Sequence, residues 1–290
     1  MSHFVVAVIT DSLDKVEKLL APYQENNMGT CPQEYLEFND VEDEFRLVYD
    51  TQSSEMVKME DGSLLAPYDD AFRTVPYGEC EVPSHLERVN ISHQERFPSF
   101  ELYMEEYEGY KNKDEITGKY GYWKNPNAKW DWWTVGGRWS NTLILKSGKN
   151  ADAAPIKDIF FIEDENLEEI LTVTIEGFRV PAPLAPSFQI VASEASKAWD
   201  EVMDGKGFFK PEYFQKRYGS KEGFIKERLT FSTYGVVTPD GEWHEPGEMG
   251  WFGVSSASPE EAKQFSKSYY DTFIKTADPN HYLVLVDCHI

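Results

Sequence analysis

The sequence predicts an α+β fold, and three observations carry the prediction. "HFVVAVIT" (His3–Thr10) and the closing "HYLVLVDCHI" are apolar runs of strand length. An amphipathic helical pattern follows the first and precedes the last. The 290 residues, 41% hydrophobic and 14% aromatic, are enough to bury a substantial core. Strand–helix at the start and strand–helix–strand at the end lead us to expect a ferredoxin-like α/β sandwich formed by the N- and C-terminal segments. A long central insertion containing a Trp-rich β-hairpin would separate its halves.

His3–Thr10 is apolar at successive positions, which suits a strand covered on both faces. In "DSLDKVEKLLAPY", Asp11 or Ser12 is placed to cap a helix, Leu13, Val16, Leu19 and Leu20 form its stripe, and Pro22 ends it. Glu34–Asp61 holds ten carboxylates against Arg46 and Lys58, with Phe38 and Phe45 seven apart, as in a helix with a solvated face. "SFELYMEEYEGY" reads as a helix started by Ser99. "VPAPLAPS" (Val180–Ser187), with three prolines, reads as a linker, giving parts 1–180 and 188–290 that either stand alone or complete one sheet. Helices are expected at Ser193–Met203 and about Pro211–Leu229. "TFSTYGVVTPDGEW" then reads as strand, Pro-Asp-Gly turn and strand. Ser258, Pro259 and Glu261 spell a capping box for the last helix.

The net charge is −23, with 26 acidic and 10 basic residues among positions 1–120. That field repels phosphates, so direct nucleic-acid binding is not expected. It serves solubility, or it docks a basic partner, with Glu42, Asp43 and Glu44 as candidate contacts. No run of eighteen apolar residues offers a membrane span. The start lacks a basic n-region and reads as a strand, not a signal peptide. Cys31, Cys80 and Cys288 form no CxxC pair, which excludes a cysteine-built zinc site and fits a reducing cytoplasm.

"KWDWWTVGGRWSN" (Lys129–Asn141) holds four of the eight tryptophans. Gly136-Gly137 between aromatic and β-branched runs signals a two-residue hairpin turn. Trp130, Trp132, Trp139 and Leu143 would then share one face, and Asp131, Trp133, Val135, Arg138 and Ser140 the other. Such tryptophans are core anchors or stacking platforms, and Arg138 suits a carboxylate or phosphate. In "VDCHI", alternation puts Asp287 and His289 on one face and Cys288 on the opposite one, against a Cys–His dyad. "WHEPGEMGWFG" approaches HExxH, but it lacks the second histidine and Pro246 breaks the helix. It reads as a turn that either simply connects strands or presents Glu248 and Trp251 to a pocket. His3, His85, His93 and His281 show no mutual metal spacing, and there is no GxxxxGK[ST], GxGxxG or GxSxG. No cofactor or metal follows from the motifs.

"LAPYQEN", "NPNAKWDWWTVGGRWS", "GEMGWFG" and "VDCHI", spread along the chain, resemble a group of proteins from tailed phages and prophages of Gram-positive bacteria. The matching positions include Pro22, Tyr23, Asn127, Lys129, Trp130, Asp131, Gly136, Gly137, Arg138, Trp139, Glu248, Gly250, Trp251, Asp287 and His289. The resemblance implies phage origin, a host-cytoplasmic setting and one fold across the chain, without a particular chemistry. Three functions are expected from these readings. The first is a phage accessory protein countering host defence by binding a nucleotide-like or phosphorylated ligand through Trp130, Asp131, Arg138, Trp139, Glu248, Trp251, Asp287 and His289. The second is an acidic inhibitor, a possible nucleic-acid mimic, of a host defence protein. The third is an enzyme using Asp287, His289 and Glu248.

Overall fold

A computed structural model describes residues 2–75, 78–163, 172–250 and 253–290. They divide into two units, Met1–Leu36 with Asn125–Ile290, and Glu37–Lys124. The first unit is built on β1 (His3–Thr10), α1 (Val16–Leu20), β2 (Trp132–Val135), β3 (Ala153–Pro155), α2 (Ala185–Met203), α3 (Pro211–Tyr218), α4 (Lys221–Leu229), β4 (Gly235–Val237), β5 (Trp243–His244), α5 (Pro259–Tyr269) and β6 (Tyr282–His289).

β1 and β6 pair antiparallel over their full length, with His3 opposite His289 and Thr10 opposite Tyr282. Because both strands are apolar at successive positions, the sheet buries both faces. One face packs Phe4, Val6, Val8, Val284, Val286 and Cys288 against Val16 and Leu20 of α1. The other packs Ala7, Ile9, Leu283 and Leu285 against Tyr269, Phe273, Leu143 and Ile156. The sheet order is β3–β6–β1–β4–β5, and β2 also pairs with β6.

The mixed α+β class and the sharing of one sheet by the two terminal segments agree with the sequence reading. The finer ferredoxin-like arrangement is not what the strands form: β4 lies directly beside β1 and parallel to it. In that plait the corresponding parallel strands are separated by an antiparallel one.

Local signals act as their chemistry demands. Ser258 and Glu261 form the capping box of α5, with Pro259 in its first turn. The Pro239–Gly241 turn joins β4 to β5, which pair antiparallel. The expected helix over Pro211–Leu229 is two helices, because Gly219 takes φ +79° after α3 and Ser220 caps α4. Val180–Ser187 is not a linker. Pro181 ends a strand, Pro183 lies in a 3-10 turn, and Pro186 sits in the first turn of α2, where a missing N–H costs nothing. Val180 and Leu184 are buried in a core shared with Phe188, Trp199 and Phe224.

The second unit begins and ends with paired strands, Glu37 opposite Lys124. Its core gathers Val41, Phe97, Phe100, Tyr103, Met104 and Tyr120. The helix Phe100–Glu106 starts at Ser99, whose hydroxyl accepts from Leu102 N–H, and the acidic stretch supplies the helix Glu42–Thr51. Glu37–Lys124 holds 21 acidic and 9 basic residues, a net −12.

Candidate functional site

The Trp-rich segment does not form a hairpin. Trp132–Val135 pairs with β6, Trp132 opposite His289 and Val135 opposite Val286. Both glycines do take positive φ, +71° at Gly136 and +52° at Gly137. They lead into a 3-10 turn, Gly137–Trp139, instead of a returning strand. The reason is that a buried strand and two carboxylates offer better partners than the segment's own second half. Gly136 N–H donates to Leu285 O at 2.8 Å, Arg138 N–H to Asp287 Oδ2 at 2.9 Å, and Asn141 N–H to the Asp152 carboxylate.

This also explains why two glycines are needed. A Cβ on Gly137 would lie 2.4 Å from Asp287 Oδ2, and one on Gly136 would lie 2.6 Å from Asp152 Cγ. Glycine here meets both a left-handed backbone and a close approach to a carboxylate.

The register sets His3, His289 and Trp132 in one row across β1, β6 and β2. His3 Nδ1 meets Asp287 Oδ1 at 2.8 Å, and His289 Nδ1 meets Asp131 Oδ1 at 2.7 Å. An ionised carboxylate only accepts, so each ring carries its hydrogen on Nδ1 and presents Nε2 as an acceptor when neutral. Among the described residues neither Nε2 has a hydrogen-bond partner. The two imidazoles are edge-to-face at 4.9 Å, and Trp132 stacks on His289 at 5.0 Å and 15°. Asp287 and His289 are nearly closed to solvent (side chains 3% and 6% exposed), whereas Trp132 is 44% exposed. Asp131 and Trp132 also border a hollow of about 380 Å³ with Gln24 and Thr30.

Asp131, Asp287 and His289 therefore come together, with the backbone of Arg138. The Arg138 side chain is exposed and makes no ion pair among the described residues. Sequence reasoning missed two members, His3 and Trp132. The signal for His3 was there: two eight-residue terminal strands in antiparallel register set His3 against His289.

Trp130 also lines the hollow beside Asp131 and Trp132, but it is built into the core at 5% exposure, its indole N–H donating to Leu20 O at 3.2 Å. Other expected residues lie elsewhere. Trp139 is half-buried in the 3-10 turn and makes no ring contact with the imidazoles. The Glu248 side chain is 82% exposed and reaches Lys129 at 3.8 Å, outside the imidazole–carboxylate network. Trp251 lies outside the described residues. Cys288 points to the opposite face, as alternation requires, and burial, aided by the Asp287 charge, pushes its thiol well above the usual range. Among the described residues, no group of three or more His, Cys, Asp or Glu side chains is placed to hold a metal ion.

In the second unit, Asp43 and Glu44 are exposed, and Leu47, four residues after Asp43, is 64% exposed. Glu42 is largely covered. Burial opposes its charge, yet Lys113, at 3.1 Å, holds its carboxyl below the usual range. No helix among the described residues is long and apolar enough to cross a membrane. No family model, curated protein or solved structure is significantly similar to this chain.

Proposed function

We propose that the protein binds a small phosphorylated, nucleotide-like ligand at the His3–His289 edge, as a phage accessory protein that counters host defence. One observation carries this reading: two imidazoles, each fixed through Nδ1 by its own carboxylate, keep Nε2 without a hydrogen-bond partner among the described residues, beside a stacked, half-exposed tryptophan. Trp132 supplies a ring platform, the exposed Arg138 side chain supplies a permanent cation, and the histidines donate to phosphate oxygens when protonated. The same pair suits proton transfer, since a carboxylate at Nδ1 fixes the tautomer and steadies the imidazolium. In that enzymatic variant His3 and Asp131 stand where Glu248 was expected.

A thermal-shift screen with mononucleotides, cyclic nucleotides and cyclic dinucleotides tests the proposal. At least one should raise the melting temperature, and Arg138→Ala and His289→Gln should remove the shift. If none shifts the protein at any pH from about 6 to about 8, the reading fails.

A second reading is favoured by the charge of Glu37–Lys124, −12 over 88 residues, with Asp43, Glu44 and Leu47 exposed on one helix. Here the acidic unit docks on a basic host protein. Pull-down from host lysate at low and high salt tests it, because such docking weakens with ionic strength.

A further inference from the structure

A second cleft, of about 570 Å³, opens at β5, the last strand on its side of the sheet among the described residues. Its centre is the ion pair Lys129 Nζ–Glu245 Oε1 at 2.8 Å, with side chains only 22% and 10% exposed. The other Glu245 oxygen accepts Trp243 Nε1–H at 2.9 Å. Lys129 is held in place by its backbone, whose N–H donates to Tyr23 O at 2.7 Å. Buried Asn125 reinforces this by donating to Pro22 O and Gln24 O. The Tyr23 ring tilts against Trp243 at 5.0 Å, and its hydroxyl donates to Gly241 O at 2.6 Å.

Phe265, Ser268, Thr272, Phe273 and His244 also line the cleft, with the His244 ring 5.2 Å from Phe273. Phe273 and Thr272 lie in a π-turn, Tyr270–Ile274, where Lys275 N–H donates to Tyr270 O at 2.9 Å. Such turns are rare and concentrate at functional positions. Here it carries cleft residues.

The charges decide what fits. Lys129 is already neutralised by Glu245, and Glu248 lies 3.8 Å from the same ammonium. No unpaired lysine or arginine lines the cleft among the described residues. A phosphate would have to displace a carboxylate that already holds two donors, against surrounding negative charge. What remains is the aromatic rings of Tyr23, Trp243, Phe265 and Phe273, with the Asn127 amide, the Ser268 and Thr272 hydroxyls and the His244 imidazole. Aromatic faces take the C–H side of a hydroxylated ring, while amide and hydroxyl groups serve both as donors and acceptors for its O–H groups.

We propose that this cleft binds an uncharged, hydroxylated ring, either a saccharide or a nucleoside, and discriminates against its phosphorylated form. The site shares none of its lining with the His3–His289 edge and stands or falls separately from it.

The test is saturation-transfer NMR and tryptophan fluorescence titration of the full chain with maltose, cellobiose, adenosine and AMP. At least one of the three uncharged probes should bind saturably and keep its affinity in about 0.5 M NaCl. Which one binds tells saccharide from nucleoside. Thr272→Trp, at an exposed helical position, should fill the cleft and weaken binding at least about tenfold. Asn127→Ala, also exposed, should weaken it less, and Arg138→Ala should leave it unchanged. The proposal is overturned if no uncharged probe binds, if AMP binds the His289→Gln variant, whose histidine edge is disabled, as tightly as adenosine does, or if Thr272→Trp binds like the parent.

Discussion

The Asp287 carboxylate joins His3 Nδ1 at 2.8 Å across 284 residues of chain, and its second oxygen takes Arg138 N–H at 2.9 Å. Three strands and the Gly-Gly turn thus converge on one buried acid. Asp287→Ala should therefore cost about 3 kcal/mol, the typical loss when one partner of a buried pair is removed. Chemical denaturation measures it. A cost under about 1 kcal/mol would mean that the network contributes little to the fold.

Gly137→Ala tests the close approach on the same acid. Gly137 combines φ +52° with a Cβ position 2.4 Å from Asp287 Oδ2, whereas Gly29 has φ +67° and nothing within 4 Å. Both alanine variants strain the backbone, and only the first also meets an atom. Gly137→Ala should lose at least about 1 kcal/mol more than Gly29→Ala in urea melts. Equal losses would show that left-handed geometry alone demands glycine there.

Ligand binding at the histidine edge should depend on pH with a definite sign. A phosphate favours protonated imidazole, so affinity should rise as pH falls. A His3→Gln, His289→Gln double variant should flatten the profile. Calorimetric titration at several pH values gives the slope, and affinity that rises with pH would exclude the imidazoles as anion donors.

Thiol labelling should rank the three free cysteines. Cys80 is half-buried, whereas Cys31 and Cys288 are buried and burial pushes both thiols up. Iodoacetamide on the native protein, read by mass spectrometry, should mark Cys80 first and Cys288 only after unfolding. Early labelling of Cys288 would contradict its place in the β1–β6 core.

Lysine substitution at Asp43 and Glu44 should abolish salt-sensitive capture of a basic partner while leaving the melting temperature nearly unchanged, since both side chains are exposed. Capture that persists after charge reversal would remove the acidic-docking reading.

Local chemistry in the sequence determined much of this protein. Apolar runs at both ends make β1 and β6, Ser258 and Glu261 make the start of α5, and Gly136-Gly137 leaves the backbone free to take the positive φ it adopts. Strand alternation alone put Asp287 with His289 and Cys288 opposite. The tertiary structure decided who pairs with whom. The run Trp132–Val135 fits any open sheet edge, so its pattern could not choose between its own continuation and β6. Trp130 and Trp132 are chemically alike in sequence, yet one fills the core and the other stacks on His289. Hydrophobic period and capping are fixed over a few neighbouring residues. Strand partners and imidazole–carboxylate contacts join positions 158 and 284 residues apart, and only the closed core selects among them.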